Sequence, residues 1–205
     1  MHQLGGAAVG RPMLSRAERV QIVEERVHTA LAEYARVPIA FMVEKVLDIH
    51  EAQGSAPVLS ERKIPVPYVK DYDRVEHPTN WPARFDVSRW GLLAALVGEQ
   101  RVGGAIIAFD TPGLAMLDGR TDLAVLWDIR VSSGARRKGI GSALFQAVEH
   151  WARSRNCREV RAETQNTNVT ACRFYERQGC ALEAVNRHAY LEMPEEIQLL
   201  WHKGL

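Results

Sequence analysis

Val20, Val23, Val27, Leu31 and Tyr34 recur at the three-to-four-residue spacing of one helical face. They follow Ser15-Arg16-Ala17-Glu18, which has the form of a capping box. The spacing predicts one amphipathic helix over residues 15–36, stopped by Pro38. Residues 39–49 mix strand-forming side chains with charges and read equally as a strand or a continuing helix. Between positions 53 and 88 fall five prolines, Pro57, Pro65, Pro67, Pro78 and Pro82, with scattered charges. That pattern predicts irregular surface structure with room for one short strand.

Beyond residue 88 the pattern sharpens. Apolar runs at 90–97 and 101–109, joined by Gly98-Glu99-Gln100, predict a hairpin. A third strand is expected at 124–131, after a polar loop containing Asp118-Gly119. Ile140, Leu144, Ala147, Val148 and Trp151 then share one face of a helix over 139–155. A strand at 160–164, a helix at 169–178 closed by Gly179, and strands near 181–185 and 197–202 complete the series. Strands first, then strand–helix–strand–helix–strand, predict a mixed α/β sheet, mostly antiparallel, with one parallel pair joined by a crossover helix.

A chain of 205 residues fits a single domain with its own core, here 15–205, behind a glycine-bearing tail at 1–14. The 26 basic and 25 acidic side chains nearly cancel, which argues against nucleic-acid or membrane partners and leaves recognition to local patches. Three cysteines, Cys157, Cys172 and Cys180, show neither a CxxC spacing nor a disulfide framework, so no metal site is expected. With no signal-peptide pattern and no long apolar run, the expected location is cytoplasmic.

The segment that carries chemistry is Trp127-Asp128-Ile129-Arg130-Val131-Ser132-Ser133-Gly134-Ala135-Arg136-Arg137-Lys138-Gly139-Ile140-Gly141-Ser142. A strand enters a basic, glycine-bearing loop that opens directly into a helix. Gly139 and Gly141 let backbone amides approach a ligand, and the helix start supplies unsatisfied N–H groups with partial positive charge. Arg136, Arg137 and Lys138 add full charges, and the combination suits a pyrophosphate. A tight turn with solvated charges is the other reading of the loop alone. A Walker loop would need Lys-Ser or Lys-Thr after the last glycine, where Ser142-Ala143 stands; a dinucleotide fingerprint would need a third glycine where Leu144 stands.

Arg136-Arg137-Lys138-Gly139-Ile140-Gly141 resembles the cofactor motif Arg/Gln-x-x-Gly-x-Gly/Ala of the Gcn5-related N-acetyltransferases, the GNAT superfamily. Asn168-Val169-Thr170-Ala171-Cys172-Arg173-Phe174-Tyr175-Glu176-Arg177-Gln178-Gly179-Cys180 resembles the second signature of that superfamily, with Cys180 in place of its usual phenylalanine. The resemblance is strong over residues 124–182. A closer likeness lies in Glu163-Thr164-Gln165-Asn166-Thr167-Asn168-Val169 and, in the proline-rich region, Pro67-Tyr68-Val69-Lys70-Asp71-Tyr72, which are similar to stretches of streptothricin acetyltransferases.

That resemblance implies a GNAT fold whose central parallel strands splay apart, with acetyl-CoA as acetyl donor. The pantetheine arm would pair with the backbone of Ile129, Arg130 and Val131, and the pyrophosphate would lie on Arg136, Arg137, Lys138, Gly139, Ile140, Gly141 and Ser142. Asn168 is expected to cap its helix, contact the pantetheine, or both. Tyr175 is expected near the sulfur, as the acid that protonates the leaving thiolate. Asp128 and Glu163, on adjacent strands, are the candidate bases for the acceptor amine, acting directly or through water. Asp128 is equally open to a structural role beside Arg130. Cys172 is the rival nucleophile for an acyl-enzyme route. Trp81, Trp90, Tyr68, Tyr72, Asp71 and Asp73 are candidates for the acceptor wall.

The expected activity is acetyl transfer to a primary amine of a small molecule, with a streptothricin-like antibiotic among the acceptors. Acetylation of a protein or peptide amine, and an acetyl-CoA-binding regulatory module without turnover, are the alternatives. Because dimers are common in the superfamily, a homodimer is also among the expectations.

Overall fold

The computed structural model describes residues 19–50 and 57–205. The proposed capping box and the 1–14 tail lie outside the described residues. Among the described residues, nine strands, one long helix and two shorter helices form the frame: β1 (Val20–Glu25), α1 (Val27–Ala35), β2 (Phe41–His50), β3 (Val58–Lys70), β4 (Gly91–Val97), β5 (Gln100–Phe109), β6 (Leu123–Val131), α3 (Ile140–Arg153), β7 (Glu159–Gln165), α4 (Val169–Arg177), β8 (Ala181–Asn186) and β9 (Gln198–Gly204). A single helical turn, α2 (Trp81–Arg84), precedes β4.

Seven strands make one sheet in the order β1-β4-β5-β6-β7-β9-β8, while β2 and β3 form a separate ribbon. Every pairing in the large sheet is antiparallel except β6 with β7. The expected mixed sheet with one parallel pair is therefore present, and α3 is its crossover helix. One apolar cluster packs α3 and α4 on one face of the sheet, with Leu144, Phe145, Val148, Cys172 and Tyr175 against Ala124, Leu126, Val160 and Ala162. A second cluster covers the opposite face, where Val27, Leu31 and Tyr34 of α1 meet Leu92, Ile106, Leu123 and Val125.

Two segments differ from the sequence expectation. Residues 20–25 are a strand, paired with β4 from Val20↔Val97 to Glu25↔Leu92, and the helix starts only at Val27. Val20 and Ile22 pack toward the core, whereas Val23 is exposed. An open sheet edge and a run of β-branched residues outweigh the helical spacing at Val20 and Val23, and only Val27, Leu31 and Tyr34 share a helix. The proline-rich stretch likewise contains a 13-residue strand, β3. Its ladder to β2 steps from Val43↔Tyr68 to Lys45↔Lys63, so Ile64, Pro65, Val66 and Pro67 fall outside the pairing. Prolines lack an N–H and are tolerated where no ladder bond is required. Residues 39–49, ambiguous in sequence, resolve as β2.

Candidate active site

The site begins with a defect in β6. Opposite β5 its register runs Ile106↔Asp128 and then Ile107↔Leu126, so Trp127 is an inserted residue. Such a bulge re-aims the strand and reverses the alternation of its side chains. Leu123 and Val125 face α1 while Ala124 and Leu126 face α3. Past the bulge, Ile129 and Val131 face α3, and Asp128 reaches Tyr34 of α1. The parallel ladder with β7 stops at the same place, Leu126↔Ala162, although β6 continues to Val131 and β7 to Gln165. The two central strands therefore diverge beyond residue 126, leaving β6 from 127 onward without a ladder partner on that side. An extended ligand can pair there as an added strand.

The basic loop and two helix starts border this opening on the α3 side. Arg137 and Gly139 have positive φ, 60° and 83°, and Gly139 stands at the N-cap of α3. The turn thus presents the first α3 amides outward, as an anion site requires. The Arg136 guanidinium donates to the carbonyl oxygens of Val131 (2.9 Å) and Ala40 (3.5 Å), bracing the loop against β6 and the start of β2. Arg137 and Lys138 are exposed and have no acidic partner among the described residues. Ile140 is buried, so only its backbone can serve a ligand. Ser142 accepts a hydrogen bond from Gln178 (3.1 Å), and the Phe174 ring lies so close to Gly141 that a Cβ there would sit 3.3 Å from it. Gly141 thereby sets the approach of α3 to α4.

Asn168 caps α4 by accepting the Ala171 amide at 3.1 Å. Nearby, the buried Thr164 and Thr167 hydroxyls have no hydrogen-bond partner. Orphaned buried donors beside an unpaired strand fit a chain bearing amides of its own, such as pantetheine. A groove of about 370 Å³ continues outward between α4 and the ribbon, with Lys45, Arg173 and Arg177 on its walls alongside Glu44 and Glu61.

Tyr175 projects from α4 into the core beneath the opening, in ring contact with Phe174, Phe145 and Trp201 at 5.4, 6.3 and 6.2 Å. Burial first, then the surrounding negative groups, pushes its phenol well above the ordinary range, so it stays protonated. Its hydroxyl makes no hydrogen bond to another described residue. Cys172, the rival nucleophile, is fully buried, points its thiol at the Gln165 carbonyl (3.7 Å), and is pushed up to about 12 by burial. Such a thiol carries almost no thiolate at neutral pH.

Asp128, Arg130, Glu163 and Gln165 lie on the opposite face. The Arg130 guanidinium is 1% exposed and has all five N–H groups engaged: with Asp128 (3.1 and 2.5 Å), with Asp73 (3.1 and 3.1 Å) and with the Val37 carbonyl (3.0 Å). Burial opposes its charge, but Asp128, Tyr34 and Asp73 more than offset this and hold it firmly protonated. Tyr34 donates to Asp128 at 2.7 Å, so both Asp128 oxygens are already bonded. The Arg130 side chain joins β6, α1 and the 71–76 turn and does not face the cofactor loop. Asp73 belongs to the same cluster, and Asp71 caps the turn beside it by accepting the Asp73 amide at 3.2 Å.

Glu163 accepts from Tyr190 (2.6 Å) and Gln198 (2.8 Å). Tyr190 in turn accepts from Gln165 (2.8 Å), whose side-chain carbonyl accepts from Tyr72. Tyr72 therefore stands at the opening. Trp81 and Trp90 do not: both are core residues, 4% and 6% exposed, packed with Trp127 and Phe85. Tyr190 and Tyr34 carry no motif, and only the folded chain brings them to the site.

A seven-stranded sheet with a bulged, splayed parallel pair, and a basic loop leading into a helix at the splay, defines the acyl-CoA N-acyltransferase architecture. The match to the Acetyltransferase (GNAT) family model, over residues 56–180, covers more than half of the chain, and the protein belongs to that family. Over 187 residues it is 28% identical to a streptothricin acetyltransferase of Escherichia coli, spanning 90% of this chain and 94% of the relative. A Bacillus anthracis protein that carries the name streptothricin acetyltransferase, solved in complex with acetyl coenzyme A, has the same fold. It superposes with a TM-score of 0.72 at 23% identity, covering 93% of this chain and 99% of that one. The crystal structure of nourseothricin acetyltransferase gives a TM-score of 0.69 at 19% identity, over 90% and 98%.

Proposed function

We propose that the protein transfers the acetyl group of acetyl-CoA to a primary amine of a small, cationic molecule of streptothricin type, by direct attack of the amine on the thioester. The observation that carries this is the division of labour across the splayed sheet. The basic 136–142 loop and Tyr175 stand on the α3–α4 side, and the carboxylates of Glu163, Asp128 and Asp73 on the other, with the unpaired edge of β6 between them. In this reading the pyrophosphate rests on the 136–142 loop. Pantetheine pairs with Ile129, Arg130 and Val131 and reaches Asn168, and a β6 amide polarises the thioester carbonyl. Tyr175 protonates the departing thiolate, its phenol being neutral at working pH and so holding the proton that step needs.

Glu163 is the better base of the two candidates. It is half-buried and its partners are neutral, whereas Asp128 is held by a buried guanidinium. An acidic acceptor face suits a substrate with several ammonium groups, and the E. coli relative named for streptothricin matches nearly the whole chain.

Thiol release from acetyl-CoA, measured against streptothricin, aminoglycosides, polyamines and lysine peptides, tests the assignment. Turnover on streptothricin above the rest is the expected result, with Tyr175→Phe lowering kcat. Preference for a lysine peptide would refute the small-molecule reading. Tight acetyl-CoA binding without any acetylated product would refute turnover.

A further inference from the structure

Both carboxylate oxygens of Glu163 already accept a hydrogen bond. Its Oε1 accepts from the Tyr190 hydroxyl at 2.6 Å and its Oε2 from the Gln198 amide at 2.8 Å. Of its two donors only the Tyr190 hydroxyl can pass on a proton while accepting another, since the Gln198 amide group donates without taking one up. Tyr190 is differently placed. A phenol oxygen has two acceptor positions; Gln165 occupies one at 2.8 Å, and no described residue donates to the other. Tyr72 donates to the Gln165 carbonyl, Gln165 donates to Tyr190, and Tyr190 donates to Glu163. All three donations point toward the carboxylate, along the part of β7 that β6 has left.

Side chains on either side of it anchor the segment that carries Tyr190, within the long β8–β9 connection. Arg187 donates to the Ile49 carbonyl at 3.1 Å on one side, and Glu196 pairs with buried Lys70 on the other. Leu191, the next residue, is 92% exposed, so Tyr190 turns inward from a surface loop. The packing of a core does not require a phenol there, and a phenylalanine would fill the same space.

We propose that Tyr190 is the group that receives the acceptor amine's proton and passes it to Glu163; this rests on the reading that the amine attacks at the splay from this face. An ammonium N–H bond breaks as its proton goes to the Tyr190 oxygen, and the Tyr190 O–H proton moves to Glu163 Oε1. The neutral amine forms the C–N bond while the thioester C–S bond breaks, and the thiolate takes the Tyr175 proton. The second amine proton restores Tyr175, and Glu163 releases the first to solvent. The ionisable groups facing Tyr190 in this arrangement are Glu163 and Tyr72.

The test compares Tyr190→Phe, Glu163→Gln and the double variant on the best acceptor found, with the pH dependence of kcat/KM for the amine and the Kd of acetyl-CoA. Expected is a fall of roughly 10²-fold in kcat for each single variant, the ordinary worth of a proton-transfer group, and no further fall in the double. Acetyl-CoA affinity stays unchanged, and in both single variants the acid limb of the wild-type profile is displaced upward to the titration of the acceptor amine itself. A merely structural Tyr190 would leave that limb in place. A Tyr190→Phe protein with the wild-type limb and kcat, or losses that multiply in the double variant, overturns the proposal. A wild-type protein that binds acetyl-CoA but acetylates no amine overturns the transferase reading itself, and this relay with it.

Discussion

Replacing Arg130 by methionine separates the structural carboxylates of this site from the one assigned to chemistry. The guanidinium is 1% exposed and is the only cation within reach of Asp128 and Asp73 among the described residues, whose side chains are 7% and 18% exposed. Methionine fills much of the same volume but leaves two carboxylates facing one another without a cation, and the Val37 carbonyl without its donor. Removing one partner of a buried pair costs about 3–5 kcal/mol, because the remaining charge is stranded. In a chain of this length each kcal/mol lowers Tm by roughly 2–4 °C, so Arg130→Met is expected to melt roughly 6–20 °C lower. Glu163→Gln provides the contrast: it perturbs hydrogen bonds of a half-buried group and is expected to cost only about 1 kcal/mol while lowering turnover. Thermal and urea unfolding of both variants, with acetyl transfer measured well below either Tm, makes the comparison. Adding Asp128→Asn to Arg130→Met should recover part of the lost stability by removing one stranded charge. An Arg130→Met protein that melts within a few degrees of wild type, or a double variant less stable than the single, would refute the assignment of Asp128 to a load shared with Arg130.

Three further outcomes follow from the same geometry. Gly139→Ala meets no atom but must adopt a φ of 83°, which costs an L-residue about 1–2 kcal/mol; an alanine loop that relaxes when empty incurs this cost on binding, and calorimetry should show acetyl-CoA binding weakened by up to roughly 5–30-fold. Cys172→Ala should keep kcat close to wild type and the native thiol should resist iodoacetamide at pH 8, since burial holds it protonated; loss of acetyl transfer with an intact fold would restore an acyl-cysteine route. Asp48 and Glu61 have depressed carboxyl pKa values, from the hydrogen bond of Arg62 and from those of Lys45 and Arg173 respectively. Depressed carboxyls stabilise the fold above their unfolded pKa and lose that contribution as pH falls through the folded one. Hydrogen exchange in the β2–β3 ribbon should therefore accelerate below about pH 4 before it does in β4–β6; a uniform response of ribbon and sheet would contradict this.

What was legible in the sequence was local. The strand–loop–helix from 124 to 153 and the strand–helix from 159 to 177 carry their own periodicity, glycines and cap, so their class and approximate bounds follow from short-range physics. Helix and phosphate loop are contiguous in the chain, which is why the candidate cofactor residues could be named before any fold was known. The proline-rich region misled for an equally local reason. Proline reports a missing N–H, but only the ladder tells whether that N–H would have had a partner, and at Pro65 and Pro67 it would not.

The rest depends on residues far apart in sequence. Val20–Glu25 became a strand because the edge of β4 lay open beside it, a fact absent from its own pattern. Asp128 reads as a lone carboxylate in an apolar strand until Tyr34, 94 positions earlier, and Asp73 arrive beside it and Arg130. Tyr190 has no motif and enters the site only because the β8–β9 connection folds its phenol to within 2.6 Å of Glu163. The sequence by itself determined the loop and helices that suit a nucleotide's phosphates, since their chemistry is built from neighbouring amides. Only the tertiary structure decided which carboxylate is locked in an ion pair and which is held by neutral partners alone, because that depends on which distant side chains share its desolvated surroundings.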